Sequence, residues 1–151
     1  MISVTKMIHI DAPVEKVFEF MDDPHRLVEV WPSLMEVRNL QAAPGGGYNY
    51  EWSYKMAGVK LDGTSEVVAF QRDKHAEAVT KAGAESHWYW DYAEADGGGT
   101  DLTVTVEYTL PVPVVGRLAE PVIARQNERE LDLMLANAKT RLEVAEKEAA
   151  S

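Results

Sequence analysis

Residues 48–56 read Tyr48-Asn49-Tyr50-Glu51-Trp52-Ser53-Tyr54-Lys55-Met56, with a large ring or a methionine at every even position and polar side chains between them. Successive side chains of a strand point to opposite faces, so the run reads as a strand with one bulky face and one polar face. The alternation returns at Trp88, Trp90 and Tyr92, interleaved with Tyr89 and Asp91. It returns again at Leu102, Val104, Val106, Tyr108 and Leu110, set against Asp101, Thr103, Thr105, Glu107 and Thr109. Aliphatic side chains fill a core without polar atoms to satisfy, whereas Trp and Tyr bring an N–H or O–H that wants a partner when buried. So many of them on one face point to a roomy, partly wet interior able to hold a small molecule. An ordinary aromatic-rich core would produce the same alternation.

Turn signals divide the middle of the chain into strands. Val37–Ala42 is followed by Pro44-Gly45-Gly46-Gly47, then by the aromatic strand, then by Ala57-Gly58. Strands over 59–71, 75–81, 85–94 and 101–110 follow, joined at Asp73-Lys74, Ala82-Gly83-Ala84 and Asp96-Gly97-Gly98-Gly99. Gly63, inside one of them, signals a bulge or a close backbone approach. Short connections between successive strands make an antiparallel meander. Its odd face meets water, and its even face needs a cover.

The two ends of the chain supply the other elements. Ile2, Val4, Ile8 and Ile10 alternate with Ser3, Thr5, Met7 and His9, a half-buried strand interrupted by Lys6 on its apolar side. Pro13 suits the first position of a helix whose Val14, Val17, Phe18 and Met21 form one apolar stripe. Asp22-Asp23-Pro24 ends that helix and starts a second, buried through Leu27, Val28 and Trp31 and stopped by Pro32. Near the C-terminus Leu131, Met134, Leu135, Ala138, Leu142 and Ala145 lie at helical spacing. A helix from 117 to 148 would run ~48 Å, with Pro121 kinking it or marking its start and residues 146–151 fraying. The expected order is strand, two short helices, six strands and a long helix, in one domain over 1–151.

Composition narrows the function classes. At 151 residues, 46% hydrophobic and 26% charged, the chain reads as globular. A net charge of −10 disfavours nucleic acid and anionic membrane surfaces, since phosphate contact needs a basic face. Zero cysteines remove disulfides, thiolate catalysis and cysteine metal sites. No apolar run approaches the ~20 residues of a membrane-spanning helix, and the opening MISVTKMIHIDAP lacks the features of a signal peptide. The expectation is a cytoplasmic protein without stable membrane insertion.

The element order, together with Ile10, Ala12, Pro13, Glu15, Val17 and Phe18 of the opening, Trp31-Pro32 after the short helices and the terminal run over 135–143, resembles the START-like (SRPBCC) superfamily. That group includes the birch pollen allergen, the polyketide cyclases and the coenzyme Q-binding proteins. The resemblance implies an α+β helix-grip fold: a curved antiparallel sheet of about seven strands, with the long C-terminal helix packed on its concave face. It also implies a cavity between them for an apolar or amphipathic ligand. Fold does not settle function in such a group.

No recognisable catalytic motif stands out. His9, His25, His75 and His87 form no H-x-H or H-E-x-x-H pattern, so no metal is expected. His87 should face outward, opposite Trp88 and Trp90. No G-x-S-x-G is present, and Ser53, Ser65 and Ser86 have no histidine placed to activate them. Glu66 is a weak candidate acid or base if Thr64, Val68 and Phe70 share its inward face; the rival register, with Leu61, Ser65, Val67 and Ala69 inward, puts it on the surface. Tyr108 is the other weak catalytic candidate, a phenol able to orient a carbonyl or donate a proton, or simply a core tyrosine. Stepping back along the terminal helix by about 3.6 residues reaches Asn127, facing the sheet. Arg125 borders the opening, or pairs with Glu128 in solvent.

The expected function is a binding or transport protein for a hydrophobic or aromatic small molecule, a lipid, isoprenoid or polyketide, with no cofactor. Its expected ligand-binding residues are Tyr50, Trp52, Tyr54, Met56, Trp88, Trp90, Val106, Tyr108 and Asn127. The alternative is a polyketide cyclase or dehydratase using Tyr108 or Glu66 as acid or base. The sequence names no protein partner.

Overall fold

The computed structural model describes residues 1–110 and 120–151. In chain order the elements are β1 (Ile2–Ile10), α1 (Val14–Asp22), α2 (Pro24–Val30), β2 (Leu34–Ala42), β3 (Tyr48–Met56), β4 (Val59–Gln71), β5 (His75–Ala82), β6 (Glu85–Glu94), β7 (Thr100–Thr109) and α3 (Glu120–Ala150). The seven strands form one open sheet in the order β1-β7-β6-β5-β4-β3-β2. Every neighbouring pair is antiparallel. β2 to β7 are the expected meander, and β1 closes the order beside β7. With the two short helices after β1 and the long terminal helix, this is the helix-grip architecture. Among the described residues no helix is long and apolar enough to cross a membrane.

Local chemistry explains the helix starts. Asp23 accepts a hydrogen bond from the His25 N–H at 3.0 Å, and Pro24 occupies the first turn of α2. Pro13 precedes the first helical residue of α1, in the capping position; its ψ of 147° is extended, so it sets the entry into the helix and is not yet part of it. The whole predicted stripe of α1, Val14, Val17, Phe18 and Met21, is buried. On α2, Leu27 is buried together with Val30, while Val28 and Trp31 are half-buried.

Several boundaries differ from the sequence reading. β2 begins at Leu34, three residues before Val37, and shifts register twice against β3, which bends this edge of the sheet. The bulge in β4 lies between Val67 and Ala69, not at Gly63. Gly63 is instead a close approach: a Cβ there would stand 2.3 Å from Cζ2 of Trp52 and 2.6 Å from the Lys81 carbonyl. The indole of Trp52 lies on the glycine facing it across the β3–β4 ladder. The expected segment 117–119 of the terminal helix lies outside the described residues; Pro121 stands in the first described turn. Helix continues to Ala150, so residues 146–150 are helical and not frayed. Its buried stripe runs Ile123, Leu131, Met134, Leu135, Ala138 and Leu142, whereas Ala145 is exposed and the neighbouring Glu146 pairs with Lys16 of α1.

The polar face of β3 is not wholly wet. Ser53 is fully buried, donating to Asp62 at 2.5 Å and accepting from Arg38 at 2.8 Å. Lys6, the odd residue on the apolar side of β1, donates to Glu128 at 2.7 Å and lies 3.4 Å from Asp132, both on α3. The apparent flaw in the β1 pattern is thus a tie between sheet edge and helix.

α3 packs on β1 and on both short helices. Ile10, Val17, Phe18, Leu102, Val104, Met134 and Ala138 are closed off there. The half of the inward face built by β3 to β6 lies farther from this cover, and a void opens there.

Candidate functional site

The void is a pocket of about 180 Å3 between the inward face of the sheet, the two short helices and α3. β3 contributes Tyr50, Trp52, Tyr54 and Met56 to its wall; β6 contributes Trp88 and Trp90; β7 contributes Val106 and Tyr108; α3 contributes Asn127. Period-two alternation brings the strand residues to one side, and antiparallel register then sets Trp88 opposite Val106 and Trp90 opposite Val104.

Aromatic geometry organises the wall. Trp31, at the end of α2, meets the Trp88 ring edge-on at 5.1 Å and Tyr54 at 5.8 Å. Trp88 and Trp90 stack at 5.7 Å with an interplanar angle of 18°. At one end Phe18 packs against Phe70 at 5.3 Å and Tyr92 at 4.9 Å. Sequence alone placed Trp31 only as a buried face of α2, and Phe70 only within the undecided register of β4.

Polar groups in the pocket fall into satisfied and unsatisfied sets. The Trp88 indole donates to Ser86 at 2.9 Å, and Asn127 donates to the Tyr108 hydroxyl at 3.4 Å. The indole N–H groups of Trp31 and Trp52 are buried without a partner among the described residues. A buried donor left unmade costs about 1–3 kcal/mol unless something satisfies it. Burial pushes the Tyr54 phenol up to about 12, opposed by Trp31 and Ser33 beside it. Neither contact reaches hydrogen-bond geometry, so Trp31 remains unsatisfied. Tyr50 is raised by burial, partly offset by Ser65; Tyr108 is raised by burial, partly offset by Asn127. These phenols stay protonated at neutral pH and act as donors or orienting groups, not as bases.

Glu66 is exposed on the opposite face of β4, 3.5 Å from Lys81, and does not line the pocket. The register that turns Leu61, Ser65 and Val67 inward is the one formed, which removes Glu66 as a cavity acid. Arg125 is exposed and does not border the pocket, and Glu128 pairs with Lys6 instead of with it. His87 lies on the outer face, stacked on Tyr89 at 4.2 Å and bonded to Glu77 at 2.8 Å. Glu77 also meets His75 at 2.7 Å, and His75 meets Asp91 at 2.6 Å. Among the described residues no group of three or more His, Asp or Glu side chains is arranged to hold a metal ion.

Three acidic residues line the pocket, Asp22, Glu77 and Glu128. Glu77 is bonded to His75 and His87, and Glu128 to Lys6. The one without a partner among the described residues, Asp22, escaped the sequence reading. Asp22 lines the pocket from the end of α1. It stands four and eight residues after Phe18 and Val14, on the margin of the buried stripe, so helical spacing alone carried the signal. Burial raises its carboxyl to about 6, against a downward pull from Arg72.

A family model described as polyketide cyclase/dehydrase and lipid transport matches residues 1–143. No curated protein matches the chain. Among solved structures, a protein of Thermus thermophilus superposes with a TM-score of 0.81 at 18% identity, covering 95% of this chain and 98% of that one. The Zhui aromatase/cyclase of Streptomyces sp. R1128 gives 0.73 at 16% identity, with 95% and 96% covered. A START superfamily protein of Mycobacterium smegmatis gives 0.72 at 16%, with 95% and 98% covered. At such identities the likeness is one of fold.

Proposed function

The chain belongs to the polyketide cyclase/dehydrase and lipid transport family, and from that premise we propose that it is a binding protein for a hydrophobic or aromatic small molecule held between sheet and terminal helix. The observation that carries this reading is the void itself, walled by the rings of Trp31, Tyr50, Tyr54, Trp88 and Trp90 and left unfilled by the protein's own side chains. A protein that merely filled its own core would close such a space, because interiors pack to the density of organic crystals. A ligand stacked on those rings buries apolar area worth ~25 cal/mol per Å2 before binding costs are subtracted.

At about 180 Å3 the pocket lies below the roughly 300–1,000 Å3 of drug-sized sites. That favours a compact ring system over a long isoprenoid enclosed whole. A cyclase or dehydratase is the second reading, favoured by one observation: Asp22 places a carboxyl inside the pocket, together with the Tyr108 phenol.

Native mass spectrometry of freshly purified protein tests the binding reading, with an adduct of a small apolar molecule as the expected result. Trp88→Ala should lower uptake of naphthalene-type probes about tenfold or more while leaving most of the folding stability, because Trp88 is only half-buried. Absence of any adduct, together with no uptake of such probes by the unaltered protein, overturns the reading.

A further inference from the structure

The ends of the pocket differ in chemistry. It runs along β3 from Tyr50, near the β2–β3 turn, to Met56, near the β3–β4 turn. Near the Met56 end stand the Tyr108 hydroxyl and the Asn127 amide, with the Glu128 carboxylate beside them already paired to Lys6. Near the Tyr50 end stands the Asp22 carboxylate.

Among the described residues Glu15 and Glu19 of α1 have no ion pair but are exposed to solvent, and other carboxylates of these helices are occupied. Asp23 caps α2, Glu29 is met by Arg141 at 2.8 Å, and Glu128 is met by Lys6. Among the described residues no hydrogen bond or ion pair reaches Asp22; Arg72 acts on it only at longer range, its guanidinium lying over the Phe70 ring at 5.7 Å. The β2–β3 turn shields this end. Gly47 has φ of 75°, and a Cβ there would stand 3.3 Å from Phe70 and 3.4 Å from Asp22 Oδ1. The turn thus passes beside the carboxylate, close enough that a Cβ on Gly47 would be in van der Waals contact with it. Further along the pocket, Trp52 is only 6% exposed, and its indole N–H has no partner among the described residues.

We propose that Asp22 is the polar anchor of the pocket and that its ligand is a compact aromatic amine, whose ammonium seats against the Asp22 carboxylate near the rings of Tyr50, Phe70 and Tyr92. This rests on the binding reading above and names the chemical class of the ligand. A half-desolvated carboxylate without a partner is the costliest group in the pocket, and a cation relieves it most. Aromatic faces attract the same cation. A ligand carboxylate would instead bring like charges together. The volume, about six waters' share of liquid, fits one or two fused rings. The net charge of −10 draws cations toward the protein.

Burial places the Asp22 titration at about 6, so the anchor is ionised at neutral pH and lost in mild acid. The groups facing it are Asp23 in its own turn, Arg72 after β4, Tyr50 on β3 and Tyr92 on β6. Both phenols are raised by burial and stay neutral throughout.

Calorimetric titration with 2-naphthylmethylamine, 2-naphthylmethanol and 2-naphthoate holds the ring system constant and varies the charge. The expected order of affinity is amine, alcohol, carboxylate, with about tenfold between the first and last. Asp22→Asn should abolish the advantage of the amine over the alcohol. In the unaltered protein, amine affinity should fall about tenfold from about pH 7.5 to about pH 5 while alcohol affinity stays level. This second measurement needs no variant. Equal binding of all three, or preference for naphthoate, overturns the proposal but leaves the binding reading intact. Failure of all three to bind overturns both.

Discussion

The two halves of this sheet share one pattern and differ in what covers them. On β1 and β7, aliphatic side chains meet α1 and α3; Leu102, Val104, Met134 and Ala138 have no exposed surface, and Phe18 has almost none. On β3 to β6 the same alternation carries Tyr50, Tyr54, Trp88 and Phe70, all only half-buried, around a void. Helix packing explains the difference. α3 lies against β1 and the short helices, and the aromatic strands lie farther across the sheet. Small aliphatic residues close the gap under the helix; large rings farther out prop the walls apart. The comparison separates positions that hold the fold from positions free to serve a ligand.

The sharpest way to break this division is Phe18→Ala. Phe18 bridges the halves, packed on Phe70 and Tyr92 from within the closed core. The expected loss is about 3–5 kcal/mol of folding stability in urea titration. A loss near that of an exposed residue would mean that the packed half is not what holds the protein together.

Gly63→Val comes next. The new side chain would collide with the Trp52 indole and with the Lys81 carbonyl, and backbone cannot swing aside. The expected cost is about 1–3 kcal/mol, with a blue or red shift of the tryptophan emission as Trp52 moves. An unshifted spectrum would show that the indole does not rest on the glycine.

Asp22→Asn sharpens the comparison from the hollow side. A carboxyl raised from 3.8 to about 6 prefers its protonated form in the folded state. Folding stability is therefore highest at acid pH with respect to this group, declines as pH rises through that window, and is level above it. The asparagine variant should lack the decline and gain about 1–2 kcal/mol at neutral pH, after allowing for solvent screening. Identical pH profiles for the two proteins would place Asp22 in water.

The smallest effect is expected outside the pocket altogether. Hydrogen bonds donated to the Glu77 and Asp91 carboxylates raise the His75 imidazole above its ordinary value. Its contribution is fully present below the ordinary imidazole value and is lost as pH rises through the higher folded value. His75→Gln should flatten that slope by a few tenths of a kcal/mol, as for other largely exposed pairs. An unchanged slope would mean that the outer face carries no coupled charge.

Much of the architecture was legible in the residues. Val14, Val17, Phe18 and Met21 announced α1, Asp23-Pro24 announced α2, and the even positions of β3, β6 and β7 chose their face without ambiguity. Asn127 was placed toward the sheet by helical arithmetic and donates there to Tyr108. Glu66 was undecidable because both faces of β4 carry apolar residues; pairing of β4 with β3 and β5 settled it. Lys6 looked like a fault because its partners, Glu128 and Asp132, lie more than a hundred residues away.

The chain by itself determined the periods, and periods fix which side chains share a face, because a strand repeats every two residues and a helix every 3.6. Only the tertiary structure decided which faces meet and how closely: the indole of Trp52 on Gly63, the void beside α3, the carboxylate of Asp22 stranded at its end. These depend on distances between elements far apart in sequence, and no local pattern encodes a distance.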